Sequence, residues 1–164
     1  MYPCFDVDGL STDQLLREWK WMISGTFELL AVNAYGDLFL KDSLGAVHCL
    51  DVTAGKIIEI AISDAEFRRA ADEAGNMERW FLLQKTERAN QLGFYPGKGQ
   101  CLGGKIPWVF QESGDFAQNL YVAELYEYVS FMGDLHRQIS EVPDGGKVQL
   151  KIQPALGQNK TASD

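Results

Sequence analysis

The stretch TFELLAVNAYGDLFLKDSLGAVHCLDVTAGKIIEIAI, from Thr26 to Ile62, decides the fold. It consists of short segments rich in β-forming residues, which the turn signals YG, DSLG and TAG separate. Connections this short join antiparallel neighbours, because a parallel pair needs a crossover of about a dozen residues or more. The stretch therefore predicts an antiparallel β-meander over about residues 26–62.

Helical patterns stand on both sides of the meander. Ser11 and Gln14 form a capping-box pattern, and the apolar residues after them recur at helical spacing. Ser63 and Glu66 repeat the capping-box pattern directly after the meander. Helices are predicted over about 12–22, from Ser63 to about Ala74, from Asn76 to a stop at Gly93, and from Leu125 to Ile139, ending before Pro143.

The remaining segments complete the fold class. PWVFQ (107–111) and NLYVAE (119–124) are predicted as short strands, and KVQLKI (147–152) alternates in polarity, which predicts a last strand. Residues 153–164 are polar and are predicted to form a flexible tail. The chain is therefore predicted to be a single α+β domain over residues 1–152, an antiparallel meander or mixed sheet flanked by helices.

The charge balance of the chain limits its partners. The chain has 164 residues and a formal net charge of −8, and such a surface repels nucleic acid and anionic membranes but attracts a basic partner. The opposing interpretation is that the charge only keeps the protein soluble. No apolar run approaches the roughly 20 residues of a membrane helix, and no secretory signal pattern opens the chain. We therefore expect a cytoplasmic protein that binds neither nucleic acid nor a membrane directly.

The segment GQCLGGKIPW (99–108) is close to a phosphate-binding P-loop. Gly99, Gly104 and Lys105 fit the spacing G-x-x-x-x-G-K, but Ile106 stands where a Ser or Thr would bind Mg²⁺. Pro107 disfavours helical dihedrals at Ile106, whereas a P-loop opens a helix. We interpret the segment as a glycine-permitted loop that leads into a strand, not as a nucleotide site.

The chain offers little for catalysis or metal binding. The cysteines Cys4, Cys49 and Cys101 are widely spaced and there are only two histidines, which is poor material for a zinc site. His136 shares a helical face with apolar residues and is predicted to be half-buried and bonded to a backbone carbonyl. The alternative is a hydrolytic or small-ligand-binding enzyme that uses Cys101 with His136. We expect no catalytic residue, no metal and no cofactor.

Residues 106–136 contain no Lys or Arg but many rings and carboxylates. Aromatic anchors among acidic groups suit a surface that docks a basic protein, because rings supply buried area and carboxylates speed encounter. The opposing interpretation is that the rings are core and the acids a solvated rim. The acidic residues of this window are Glu112, Asp115, Glu124, Glu127 and Asp134.

Four segments together resemble a known family. They are L-x-x-E-W-x-W-M-I (15–23), AYGDLFLKDSLGAVHCLD (34–51), GQCLGGKIP (99–107) and FMGDLHRQISEVPDG (131–145). This order resembles the bacterial immunity-protein domain that guards against type VI secretion DNase effectors and that follows a GAD-like domain in longer proteins. The resemblance covers about residues 10–152. Its motif residues here are Gly36, Asp37, Gly99, Gln100, Cys101, Pro107, His136, Gln138 and Pro143.

The resemblance has one departure and one rival. Residues 109–114 (VFQESG) stand where the family has a Leu-Gly-Gly sequence, although Asn119 matches a later Asn of the family. The opening helix and the glycine–aspartate hairpin also resemble the SUKH-like immunity group. Either resemblance implies a binding protein with no catalytic activity.

What the resemblance implies is a cytoplasmic immunity protein that neutralises a cognate secreted toxin, a basic nuclease, by stoichiometric binding. The residues that we assign to toxin binding are Glu112, Asp115, Glu124 and Glu127. The alternatives left open are the enzyme based on Cys101 and His136 and a general interaction module without a toxin.

Overall fold

The computed structural model describes residues 6–150. Its α-helices are Thr12–Leu15 (α1), Asp64–Ala71 (α2), Ala74–Phe81 (α3), Leu83–Gln91 (α4), Phe116–Asn119 (α5) and Leu125–Ile139 (α6). Its strands are Phe27–Val32 (β1), Leu38–Asp42 (β2), Val47–Asp51 (β3), Lys56–Ala61 (β4), Gln100–Gly104 (β5) and Leu120–Glu124 (β6). Short 3-10 turns lie at Arg17–Trp19 and Gln111–Ser113.

The meander is confirmed. Strands β1 to β4 form one antiparallel sheet in the order of the sequence, with Leu29 opposite Leu40 and Leu40 opposite His48. The Asp42 carboxylate holds the β2–β3 turn, because its Oδ1 accepts the backbone N–H groups of Leu44 and Ala46. Antiparallel pairing follows directly from connections this short.

A second, two-stranded sheet lies against the first. Strands β5 and β6 pair antiparallel, with Gln100 opposite Glu124 and Gly104 opposite Leu120. The backbone N–H of Leu102 donates to the carbonyl of Ala34 at 2.7 Å and so joins the two sheets. The described chain is a mixed α+β domain, as predicted.

Helices cover both faces of the meander. One face packs against α6 and the segment before β1 in a cluster that includes Leu15, Trp19 and Met132. The other face packs against α2 and α3, where the Phe39 ring lies 5.5 Å from that of Phe67, between ring centroids. Each face of the sheet thus buries apolar side chains, which is the main stabilising contribution to such a fold. No helix within residues 6–150 has the length and apolar character needed to cross a bilayer.

The helix predicted over 12–22 is wrong beyond its first turn. The Ser11 side chain does cap α1 by accepting the N–H of Gln14, but the helix ends at Leu15. The indole N–H groups of Trp19 and Trp21 both donate to backbone carbonyls of α6. Residues two apart on a continuous helix point in nearly opposite directions, so contact of both indoles with α6 requires the chain to leave the helix.

The helix predicted from Asn76 to Gly93 is two helices. Leu82 adopts φ 53° and ψ 48°, and this left-handed residue ends α3 and begins α4. Asn76 lies inside α3 and does not cap it. The predicted stop is confirmed, because Gly93 has φ 89° and Phe94 N–H donates to the carbonyl of Ala89.

Two predicted strands are wrong. PWVFQ (107–111) forms turns, and the partner of β6 is Gln100–Gly104. Glycine weakens a strand in general, but a Cβ at Gly103 would collide with the rings of Tyr121 and Tyr128, so close packing requires glycine there. Residues 147–150 are not in a strand. Residues 151–152 and the predicted tail 153–164 lie outside the described residues.

Candidate functional site

The β1–β2 turn holds a buried polar network. Asn33 Oδ1 accepts the N–H groups of Tyr35 and Asp37, and its Nδ2 donates to Asp37 Oδ2 at 2.8 Å and to the carbonyl of Trp80 at 2.9 Å. Asp37 Oδ1 accepts the N–H of Val52 at 2.9 Å. The Asp37 carboxylate therefore ties the β1–β2 turn to the end of β3, and Asn33 ties it to α3.

The environment of Asp37 favours its neutral form. Burial, and next the nearby carboxylate of Asp51, raise the pKa of Asp37 to about 7. The hydrogen bonds from Asn33 and Val52 and the ammonium of Lys85 act in the opposite direction. The burial of this carboxylate is thus only partly offset by its donors.

Gly36 and Cys101 meet where the two sheets join. Gly36 has φ 84°, and a Cβ there would lie 3.4 Å from Cys101 Sγ and 3.5 Å from the ring of Tyr128. Burial, followed by the charges of Asp37 and Glu124, raises the pKa of the Cys101 thiol to about 12. A thiol needs its ionised form to act as a nucleophile, so the surroundings of Cys101 suit packing and not catalysis.

His136 is bonded to backbone carbonyls, as predicted, but it is buried and not half-buried. Its Nε2 lies 3.2 Å from the carbonyl oxygen of Val52 and 3.1 Å from that of Thr53. Two acceptors facing Nε2 require the proton on that nitrogen. Burial lowers the pKa of His136, and the two carbonyls oppose this effect. The ring therefore ties α6 to the β3–β4 turn.

The other motif residues of α6 and the segment after it have local partners. Gln138 Nε2 donates to Asp134 Oδ2 at 2.7 Å. Pro143 is exposed, and its carbonyl accepts the N–H of Gly146 at 2.8 Å, so that the segment VPDGG (142–146) forms a turn. These contacts order the end of α6 and the turn after it.

The near P-loop does not have P-loop geometry. Gly99 has φ 76° and its carbonyl accepts the N–H of Leu125, whereas Gln100 to Gly104 form strand β5. Lys105 Nζ donates to the carbonyl of Gln118 at 2.8 Å. The segment is a turn followed by a strand, and its lysine binds the neighbouring backbone.

The loop from 105 to 119 is held by an aromatic cluster that the sequence did not predict. The rings of Trp108 and Phe116 stack with centroids 6.2 Å apart, and Tyr35 lies 5.9 Å from Trp108. Lys85 Nζ of α4 lies 4.5 Å from the Tyr35 centroid, 4.6 Å from that of Trp108 and 5.5 Å from that of Phe116. Pro107 is buried in the same loop. Residues 106–136 contain no Lys or Arg, and Lys85 of α4 supplies the cation that packs on the rings of this segment.

The four carboxylates assigned to toxin binding form two groups. Glu112 and Asp115 are exposed in the loop after β5, where Asp115 caps α5. Glu124 and Glu127 are exposed at the end of β6 and the start of α6. Within the hairpin, Glu124 lies at the end of β6 away from the loop that holds Glu112 and Asp115, and the strand between them is about 13 Å long. The structure therefore does not bring all four carboxylates to one point.

A cavity of about 650 Å³ lies at the Glu124 end of the β5–β6 hairpin. Motif residues Gly99 and Gln100 line it, and Gln100 Nε2 donates to Glu124 Oε1 at 3.1 Å. Three carboxylates from distant parts of the chain also line it, those of Asp6, Asp8 and Asp72. We call this cavity, with its lining residues, the acidic pocket. The sequence held no local signal for the three carboxylates, because only the fold brings them together.

A second cavity, of about 490 Å³, lies beside His136. Its lining includes Trp21, Phe110, Ile139 and the motif residue Pro143. No group of three or more His, Cys, Asp or Glu side chains among residues 6–150 is arranged to hold a metal ion.

No family model matches the chain, and no curated protein matches it.

Proposed function

We propose that this protein is a cytoplasmic immunity protein that binds one copy of a basic, nuclease-type toxin of type VI secretion and so neutralises it. The observation that carries the proposal is the placement of exposed carboxylates at both ends of the β5–β6 hairpin, on a chain with a formal net charge of −8. The family resemblance of the sequence points to the same activity.

The electrostatic argument is independent of the resemblance. A nuclease binds a polyanion and therefore presents a basic surface. An acidic protein can cover that surface, and its field speeds the encounter at low ionic strength. Glu112 with Asp115 and Glu124 with Glu127 would then contact separate basic regions of one toxin.

The enzyme alternative has less support than binding. Cys101 is fully buried and has a raised thiol pKa, and the Nε2 atom of His136 is taken up by two carbonyls. A catalytic base needs a nitrogen within reach of the proton that it removes. The general interaction module remains a rival, and it predicts binding to many partners with little dependence on salt.

The test is co-expression with the toxin candidate encoded beside this gene. We expect host survival and co-purification as a one-to-one complex, with an affinity that falls as salt rises. A variant with Glu112, Asp115, Glu124 and Glu127 changed to Gln or Asn should protect less. The matched control changes four exposed acidic residues elsewhere, Asp13, Glu59, Glu87 and Glu141. Toxicity without rescue, or no binding at micromolar concentrations, would contradict the proposal.

A further inference from the structure

The acidic pocket is lined by buried or half-buried apolar residues, which we call its floor, and by exposed charged residues, which we call its mouth. The floor includes Phe81 and Leu125, which are buried, and Val32 and Met77, which are half-buried. Asp6, Asp8, Asp72 and Lys98 line the same cavity and are all exposed. A ligand that fits must therefore combine apolar surface at depth with a charge near the mouth.

The charge that fits this mouth is positive. The mouth has three carboxylates and one ammonium, and the ammonium of Lys98 already pairs with Asp6 at 2.8 Å. Within residues 6–150, Asp8 and Asp72 form no ion pair. Two carboxylates therefore remain for an external cation, while the Lys98–Asp6 pair competes for the third.

We propose that the acidic pocket receives an arginine side chain of the protein partner, together with an apolar neighbour. The methylene stem of arginine lies on apolar surface while its guanidinium reaches the carboxylates in a planar, two-pronged geometry. Arginines seated in pockets of this kind are typical anchors of protein interfaces. This inference rests on the proposed function, because it assigns a basic partner.

Lys98 acts as an internal competitor for the incoming arginine. Its Nζ occupies Asp6 Oδ1, and both side chains are about half exposed, at 51% and 56%. Such an exposed pair is weak, so a guanidinium held also by the pocket floor can displace it. Removing Lys98 should therefore strengthen binding, which is the opposite of the effect expected from removing a carboxylate.

The experiment is a titration of the full ¹⁵N-labelled chain with a short peptide that has one arginine between two leucines. We expect the amide signals of Gly97, Gly99 and Gln100 to shift, and a peptide with glutamine in place of arginine to bind much more weakly. Asp8→Asn with Asp72→Asn should weaken binding about fivefold, and Lys98→Gln should strengthen it about threefold. Glu59→Gln with Glu141→Gln removes the same charge away from the pocket and should leave binding unchanged.

Several outcomes would overturn the inference. Equal binding of the two peptides would show that the pocket does not recognise the guanidinium, and equal effects of the two double variants would show that only net charge matters. Binding that occurs only after residues 1–5 are removed would assign the pocket to the start of the chain itself. Unchanged peptide binding by the Asp8 and Asp72 variant, in a protein that still neutralises its toxin, would overturn the inference and leave immunity standing. Peptide binding by a protein that does not neutralise the toxin would support the pocket inference and contradict the proposed immunity function.

Discussion

The Cα atom of Gly55 lies directly against the imidazole ring of His136, and a Cβ at position 55 would overlap that ring. The same turn supplies the Val52 and Thr53 carbonyls that His136 Nε2 contacts. The β3–β4 turn thus encloses the ring from two sides. His136, which the enzyme alternative pairs with Cys101, thus joins α6 to the meander.

Gly55→Ala should be strongly destabilising. Gly55 has φ 66°, which an L side chain rarely adopts, and the new methyl group would force His136 to move. We expect the free energy of unfolding to fall by about 3 kcal/mol or more in urea denaturation. Gly45→Ala is the matched control, because Gly45 has φ 94° but open space around its Cα. It should cost only about 1 kcal/mol. Equal losses would show that the ring contact is unimportant.

The contribution of Asp37 to the free energy of unfolding should fall as pH rises from about 4 to about 7. In that range the unfolded chain releases the Asp37 proton, whereas the folded chain, with a pKa of about 7, retains it. The contribution falls by roughly 1.4 kcal/mol per pH unit and levels off above pH 7.

The measurement compares wild type with Asp37→Asn in urea denaturation at several pH values. The variant also loses an acceptor, so it starts less stable at low pH by about 1–3 kcal/mol. The stability advantage of wild type should shrink as pH rises toward 7. Asp13→Asn, at an exposed position, controls for the loss of one charge. An advantage that stays constant with pH would refute the prediction.

Lys85→Met should loosen the loop from 105 to 119. Methionine keeps most of the apolar stem but loses the charge that faces the rings of Tyr35, Trp108 and Phe116. We expect a loss of about 1 kcal/mol in the free energy of unfolding and faster hydrogen exchange in the loop. Lys20→Met, at an exposed position, should change neither quantity. A loop that exchanges at the wild-type rate would show that the cluster does not depend on the cation.

Glu112→Lys with Asp115→Asn should slow association with the toxin more than it speeds dissociation. Exposed charges at an interface rim act mainly on steering, and asparagine at 115 keeps the cap of α5. Surface plasmon resonance at low salt should show an association rate reduced severalfold. Glu59→Lys with Glu141→Gln changes the net charge equally and is the control. An unchanged association rate would remove Glu112 and Asp115 from the interface.

The sequence by itself determined the features that near neighbours in the chain encode. Turn residues and short apolar segments specified the antiparallel meander, and Ser11 and Ser63 cap the helices that their patterns predicted. The face of α6 that carries Met132 and His136 is buried as its periodicity predicted. Local hydrogen bonds and a regular period are properties of a few adjacent residues, so a sequence pattern can report them.

Only the tertiary structure decided where those patterns are interrupted and which side chains meet. The left-handed Leu82 interrupts a regular helical pattern. The chain also departs from the helical pattern after Leu15, and Trp19 and Trp21 both donate hydrogen bonds to α6. Gly103 lies in a strand because two rings, 18 and 25 residues further along the chain, occupy the space of a side chain. The carboxylates of the acidic pocket belong to Asp6 and Asp8, near the start of the chain, and to Asp72, at the end of α2. Each of these features depends on contacts between residues far apart in the chain, and no local pattern encodes such contacts.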